Sequence, residues 1–286
     1  MPNQLKHRHQ LPADLTPMRL RRALQPGPIG TSIVRYETVT STSDIVRARA
    51  RAGAGEGLVV LAERQSAGRG RGGHRWDAPY GSALLCSLLL RPAWLAPRDA
   101  FVITMLAGVA LCEAIERVAP VAVRLKWPND AMFAGAKLAG ILCDLDLAGG
   151  GAAAITVGIG VNVGAHPDGT VDGRDLARSA TDLAAASGRQ VDRGELAIAL
   201  LDRLNCGYAA LPEDRAALLS AWRGRLETIG RRTTVSTPSG SLTGLAEDVQ
   251  PDGALLLRLD DGKLLPVYAG DAADAAPGAR AEEGGE

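Results

Sequence analysis

The spacing of apolar and polar positions divides the chain into short, distinct elements. Residues 33–39 read as a strand. Thr40-Ser41-Thr42-Ser43-Asp44 then offers several N-cap side chains to a helix at 45–52, which Gly53 closes. Such hydroxyls cap helices, and a strand-to-helix turn also aims hydroxyls and backbone N–H groups at a ligand. A short apolar run at 58–62 is followed by residues 82–90, nearly continuous in Leu and Ala, as in a central strand buried on both faces. Phe101, Met105, Val109 and Cys112 recur at helical spacing within 97–118, a long helix with a core-facing stripe.

A strand at 121–127 runs into a turn that Pro128 pins. Gly135-Ala136 marks a tight hairpin before a strand at 137–143, in which Gly140 signals a bulge or a ligand lying on the backbone. Gly149-Gly150-Gly151 marks the next hairpin. Residues 155–163 then alternate glycine with β-branched residues, so one face of that strand lacks side chains and something else must lie on it. Helices follow at 177–186, 194–210 and 215–223. From Ile229 the pattern changes to strands at 233–237, 241–249, 254–259 and 263–267. Turns at Pro238-Ser239-Gly240, Pro251-Asp252-Gly253 and Asp260-Asp261-Gly262 separate them, as in a small β-barrel.

The expected organisation is an N-terminal extension at 1–30, partly disordered, with one short helix near 18–24. A main domain at 31–225, a small β-barrel at 229–270 and a disordered tail at 271–286 follow. The extension has no room for a folded DNA-binding domain. A length of 286 residues suits about two domains. The 46% hydrophobic content is enough for a sizeable core. Thirty-two basic residues balance 32 acidic ones, so no global field attracts nucleic acid or a membrane surface. No apolar run reaches the roughly 20 residues of a membrane span, and the start does not read as a signal peptide. Cys86, Cys112, Cys143 and Cys206 lack C-x-x-C spacing, which suits reduced, buried thiols in a cytoplasmic protein rather than a zinc site.

The chemistry concentrates in a few stretches. Gly68-Arg69-Gly70-Arg71-Gly72-Gly73-His74-Arg75-Trp76 is a flexible cationic loop ending in an aromatic plate. Its arginine forks suit phosphate or carboxylate. Arg-Gly runs also occur as solvated linkers or RNA-binding segments, so the loop alone leaves both readings open. Lys126-Trp127-Pro128-Asn129-Asp130 brings a cation, an amide and a carboxylate to a strand end. There they either satisfy the turn backbone or serve a nucleotide and its metal. Lys137 is a charge at the head of an apolar strand, and Asn162 ends the glycine-alternating one.

Together these four stretches resemble the biotin protein ligase family, whose patterns are G-R-G-R-x-G-R-x-W, K-W-P-N-D, K-L-x-G-I-L and G-x-G-x-N. They stand here in the family's order, and the resemblance covers roughly residues 33–267. The resemblance implies an α+β fold: a mixed, class II synthetase-like sheet flanked by helices, with a small C-terminal SH3-like barrel. It implies a reaction in which biotin attacks the α-phosphate of ATP, with Mg²⁺, to give biotinyl-5′-AMP and pyrophosphate. Biotin then passes to a lysine of a biotin carboxyl carrier domain of a carboxylase.

By the same resemblance Lys137, Arg69 and Arg71 are the catalytic cations. Ser41, Thr42, Ser43, Gln65, Gly68, Arg69, Arg71, Lys137, Gly140, Gly158 and Gly160 meet biotin. Arg71, Arg75, Trp76, Lys126, Asn129, Lys137 and Asn162 meet ATP or the adenylate, and Asp130 is a candidate metal contact. His74 stands where the family has arginine, and Ser43 where it commonly has asparagine. The short N-terminal extension resembles the monofunctional ligases, which do not repress transcription. The family dimerises through exposed strand edges, and the sequence leaves monomer and homodimer open. A lipoate ligase, an RNA-binding module and an inactive biotin-binding relative are the alternatives.

Overall fold

The computed structural model describes residues 13–147, 154–238 and 240–275. The glycine hairpin expected at 149–151 and the end of the tail lie outside the described residues.

In chain order, α1 (Pro17–Ala23) leads to β1 (Ser32–Val39), α2 (Thr42–Arg51) and β2 (Leu58–Gln65). The Arg-Gly stretch forms a two-stranded ribbon, β3 (Gly68–Arg69) and β4 (Arg75–Trp76), ahead of β5 (Ala83–Leu90) and α3 (Phe101–Val118). An antiparallel meander follows: β6 (Arg124–Lys126), β7 (Asp130–Phe133), β8 (Ala136–Asp146) and β9 (Ala154–Asn162). A second ribbon, β10 (Thr170–Val171) and β11 (Arg174–Asp175), precedes α4 (Leu176–Ser179), α5 (Leu183–Ser187), α6 (Arg193–Ala210) and α7 (Arg215–Arg225). The last described strands are β12 (Arg232–Thr237), β13 (Gly240–Val249), β14 (Leu255–Arg258), β15 (Leu264–Val267) and β16 (Asp271–Asp274).

Among the described residues, seven strands form one sheet in the order β1-β2-β5-β9-β8-β7-β6. β1 and β2 run parallel, with α2 as the crossover, and the other neighbours are antiparallel. The two-residue period of the strands separates the sheet's faces. Ile155, Val157, Ile159 and Val161 of β9 join Leu84, Cys86 and Leu88 of β5 in the main core. There α3 packs between the sheet and α6 and α7, which is why it is apolar almost all round. Thr156, Gly158, Gly160 and Asn162 alternate with those core residues and belong to the opposite face. On that face α2 covers one end through Val46 against Val60 and Leu89, and the rest carries the site described below.

The strand expected at 121–127 is regular only over Arg124–Lys126, although Val121 and Val123 are buried. The helix expected at 177–186 is two short helices. Thr181 N–H donates to the Lys137 carbonyl at 2.9 Å, and Asp182 then caps α5. The hairpin before β8 turns on Ala134 and Gly135, both at positive φ, one residue earlier than expected. Asp271–Asp274, expected in the disordered tail, instead pairs with β12 and completes a five-stranded antiparallel sheet, β15-β14-β13-β12-β16.

Part of the N-terminal extension is also docked. Leu15 and Leu20 are fully buried, and Arg193 donates to both oxygens of Asp14 at 2.8 Å. The same guanidinium reaches Glu63 at 2.7 Å, and Arg35 reaches that carboxylate at 2.6 Å. Cys206 is exposed, against expectation, because it falls on the outer side of α6. Burial pushes the Cys86, Cys112 and Cys143 thiols up to about 12.

Candidate active site

The sheet face opposite the core becomes a site because two of its strands lack side chains where they pair. Gly140 of β8 lies directly across from Gly160 of β9, and Gly160 across from Leu85 of β5. The Trp76 indole lies on this strip. A Cβ on Gly160 would fall 2.5 Å from its Cε2, and one on Gly140 would fall 3.2 Å from its Cζ3. The glycines expected under biotin's rings thus carry an aromatic plate of the chain itself. Gly158 has another neighbour, since a Cβ there would meet the Ser43 hydroxyl at 2.7 Å.

One end of the strip is a nest of hydroxyls. Thr42 N–H and Oγ1 both donate to Gln65 Oε1, at 2.7 and 3.0 Å. Ser87 Oγ lies 2.7 Å from Thr42 Oγ1 and 3.0 Å from Ser43 Oγ. Ser41 is the N-cap residue of α2, yet its side chain makes no capping bond. The Thr42 and Ser43 hydroxyls face the sheet. Ser87 was not singled out from the sequence, although a serine inside Ala-Leu-Leu-Cys-Ser-Leu-Leu-Leu is a signal. A hydroxyl buried in the middle of a sheet needs a polar reason to be there.

The other end is ionic. Lys137 Nζ sits 2.7 Å from Asp130 Oδ1 and 5.8 Å from the centre of the Trp76 ring. This lysine is partnered at the sheet surface, and Asp130 is engaged with it. Asn129 donates its amide to the Ile141 carbonyl and accepts from Ile141 N–H at 3.0 Å, so it locks the turn to β8. Asn162 Nδ2 donates to the Thr181 carbonyl at 2.9 Å, while its Oδ1 is buried with no protein partner. Trp76 Nε1 is likewise buried and unpaired. A buried acceptor and donor left without partners suit a ligand that supplies them.

The ribbon cations diverge. Arg69 pairs with Asp44 of α2 at 3.2 Å, and Asp44 also pairs with Arg47. Arg71 donates to the Gly270 carbonyl at 3.0 Å, next to β16. Burial lowers its guanidinium from the ordinary value, against the pull of Asp271 and Asp130. Arg75 is held through its backbone, whose N–H donates to Asp172 at 2.7 Å.

Apart from Gly68, every residue expected at the site lines one cavity of about 430 Å³, Lys126 and Ser41 included. That volume lies in the range of small-molecule sites. Gly68 serves the ribbon itself, because a Cβ there would strike the Trp76 carbonyl. The small sheet closes the cavity with Ser236, Asp271, Ala272 and Ala273. Trp127, read from sequence only as part of its motif, is a buried anchor between the two sheets. Its Nε1 donates to the Gly253 carbonyl at 2.9 Å.

The profile of the Biotin/lipoate A/B protein ligase family matches residues 36–162, and that of the Biotin protein ligase C terminal domain matches residues 228–273. The Mycobacterium tuberculosis biotin–[acetyl-CoA-carboxylase] ligase is 33% identical over 239 residues, covering 82% of this chain and 85% of that one. The Paracoccus denitrificans ligase of the same name is 35% identical over 215 residues, covering 71% and 85%. The Aquifex aeolicus biotin protein ligase in complex with biotin and ATP superposes with a TM-score of 0.72. It is 23% identical and covers 85% of this chain and 98% of its own, a likeness of fold. The chain belongs to the biotin protein ligase family.

Proposed function

We propose that this ATP-dependent biotin protein ligase divides its work along the strip. The hydroxyl nest takes the polar ring end of biotin, Lys137 takes its carboxylate, and the Lys126, Asn162 and Trp76 end takes the nucleotide. In the first step a biotin carboxylate oxygen attacks the α-phosphorus of ATP, the new O–P bond forms, and pyrophosphate leaves. In the second, the amine of an acceptor lysine on a biotin carboxyl carrier domain attacks the acyl carbon. AMP leaves and the amine's proton is lost.

Two anions must meet in the first step, so a fixed cation at the meeting point lowers the barrier electrostatically. The observation that carries this reading is Lys137. It lines the same cavity as the hydroxyl nest and the Asn162 and Trp76 side chains, whose buried Oδ1 and Nε1 have no protein partner. Its partner Asp130 holds it in position. Arg71 comes from the ribbon above and adds a second cation to the same space. Trp76 lies in contact with the Gly140–Gly160 strip, so biotin would take that strip only once the indole lifts from it.

Magnesium would come with the phosphates of ATP. Asp130 is already engaged with Lys137, and no group of three His, Cys, Asp or Glu side chains stands ready for a metal among the described residues. Among the described residues the side chains do not by themselves form a metal site. No helix among the described residues is long and apolar enough to cross a membrane.

Pyrophosphate release tests the reading when measured with ATP and Mg²⁺ in the presence of biotin or lipoate. Biotin-dependent release is expected. Release with lipoate alone would move the chain to the lipoate branch, and no release with either would leave a binding protein.

A further inference from the structure

Three elements far apart in sequence meet at the outer end of the Arg-Gly ribbon. The turn of the β10–β11 ribbon is Asp172-Gly173, with φ of +51° and +75°. That is the geometry of a two-residue hairpin turn for which Asp-Gly is well suited. Its position holds the Asp172 carboxylate against the neighbouring ribbon. Asp172 Oδ2 accepts the Arg75 N–H at 2.7 Å and lies 3.7 Å from His74 Nδ1. On its other side, His74 Nε2 lies 3.3 Å from Asp271 Oδ2 on β16. Arg71 is tied to the adjacent Gly270 carbonyl. An imidazole therefore bridges carboxylates of two elements, and it stands where the resemblance leads one to expect arginine.

We propose that Asp172 is a positioning residue of the ligation. By holding the Arg75 N–H and the His74 ring, it keeps the ribbon, with Trp76 and Arg71, closed over the cavity, and so sets how long the acyl adenylate is retained. The role rests on the ligase reading above.

The β10–β11 ribbon pairs only with itself among the described strands, and Asp172 is about one-third exposed, so its carboxylate adds little to core stability. It contributes instead a charged acceptor to a backbone N–H of the neighbouring ribbon, the stronger kind of hydrogen bond. When the ribbon lifts, water reaches the mixed anhydride. Its oxygen attacks the acyl carbon, the acyl–oxygen bond to phosphate breaks, and biotin and AMP are released in place of the biotinylated lysine.

The test uses the full chain as wild type, Asp172→Ala, Asp172→Asn, His74→Ala and the Asp172→Ala/His74→Ala double variant. AMP released per biotin attached to a carrier domain is measured alongside amide hydrogen exchange across residues 69–76. In Asp172→Ala the AMP-to-biotin ratio is expected to rise about tenfold, what loss of one hydrogen bond to a charged group allows. Exchange across 69–76 should quicken while β8 and β9 keep their protection. Asp172→Asn retains an acceptor oxygen and should restore most of both readouts. The double variant should leak little more than Asp172→Ala.

An unchanged ratio in folded Asp172→Ala overturns the positioning role, whether or not exchange quickens. Equal loss of protection in β8 and β9 reduces Asp172 to a structural residue and also overturns it. If the wild type forms no biotinyl adenylate, the ligase reading fails, and the retention role falls with it. The exchange data then still decide separately whether Asp172 holds the ribbon.

Discussion

The two ends of the cavity hold their polar groups in opposite ways. The hydroxyl nest is buried and internally satisfied: Thr42, Ser43 and Ser87 bond one another and Gln65 within the sheet and the first turn of α2. The ribbon end is held by half-exposed contacts of different kinds to separate elements: the Arg69 ion pair with Asp44 on α2, the Arg75 N–H bond to Asp172 on β10–β11, and His74 beside Asp271 on β16. Buried hydrogen bonds are costly to break and fix geometry, whereas exposed ion pairs contribute little each and exchange readily. On the proposed reading the nest selects the ligand and the ribbon opens and closes over it.

Removing Lys137 should break this comparison most severely, since it is the cation proposed to meet biotin's carboxylate and the α-phosphate. Lys137→Ala is expected to lower biotin-dependent pyrophosphate release at least about a hundredfold, the scale of losing one preorganised electrostatic group. Steady-state assays on folded protein would check it, and a change confined to KM would contradict the assignment.

Next come the two kinds of end. Ser87→Ala leaves the Ser43 hydroxyl without its partner, so it should cost about 1–3 kcal/mol of stability and raise KM for biotin more than KM for ATP. Urea unfolding and the two KM values would show it. Arg71→Gly should act on the other side of the comparison. It removes the tie to Gly270, so the adenylate should leak and label lysines nonspecifically. Retained adenylate with clean acceptor selectivity would refute this.

Gly160→Ala probes the strip between the ends. The added methyl would fall 2.5 Å from Trp76 Cε2, so the indole must lift. A change in Trp76 emission is expected, isolated as the difference from a Trp76→Phe control. Arg69→Ala should be the mildest. Its pair with Asp44 is about two-fifths exposed on both sides, so less than about 1 kcal/mol of stability should be lost, readable as a small shift in the urea midpoint.

Much of this architecture was legible because local chemistry forces it. The unbroken apolar runs of β5 and α3 are buried on both sides, and no other environment suits them. Glycine alternation along β9 announced a face without side chains, and four motifs in order placed the candidate residues around one cavity. Contacts made by single residues were harder to read. Nothing local to Asp271–Asp274, an acidic and alanine-rich stretch, says that β12 offers it an unpaired edge. Nor does Asp172-Gly173, legible as a turn, say that its carboxylate reaches Arg75.

The sequence by itself determined the class of fold, the family and the identity of most cavity residues. Those follow from periodicity, turn chemistry and motif order, which are properties of neighbours along the chain. Tertiary structure alone decided what each residue faces. It set Trp76 on the Gly140–Gly160 strip, drew Lys137 onto Asp130, and sent Arg69 and Arg71 to different elements. The reason is physical: folding brings together groups from one hairpin, such as Asp130 and Lys137, and groups as far apart as Arg71 and Gly270, and the partner of a charge or a hydroxyl depends on that register.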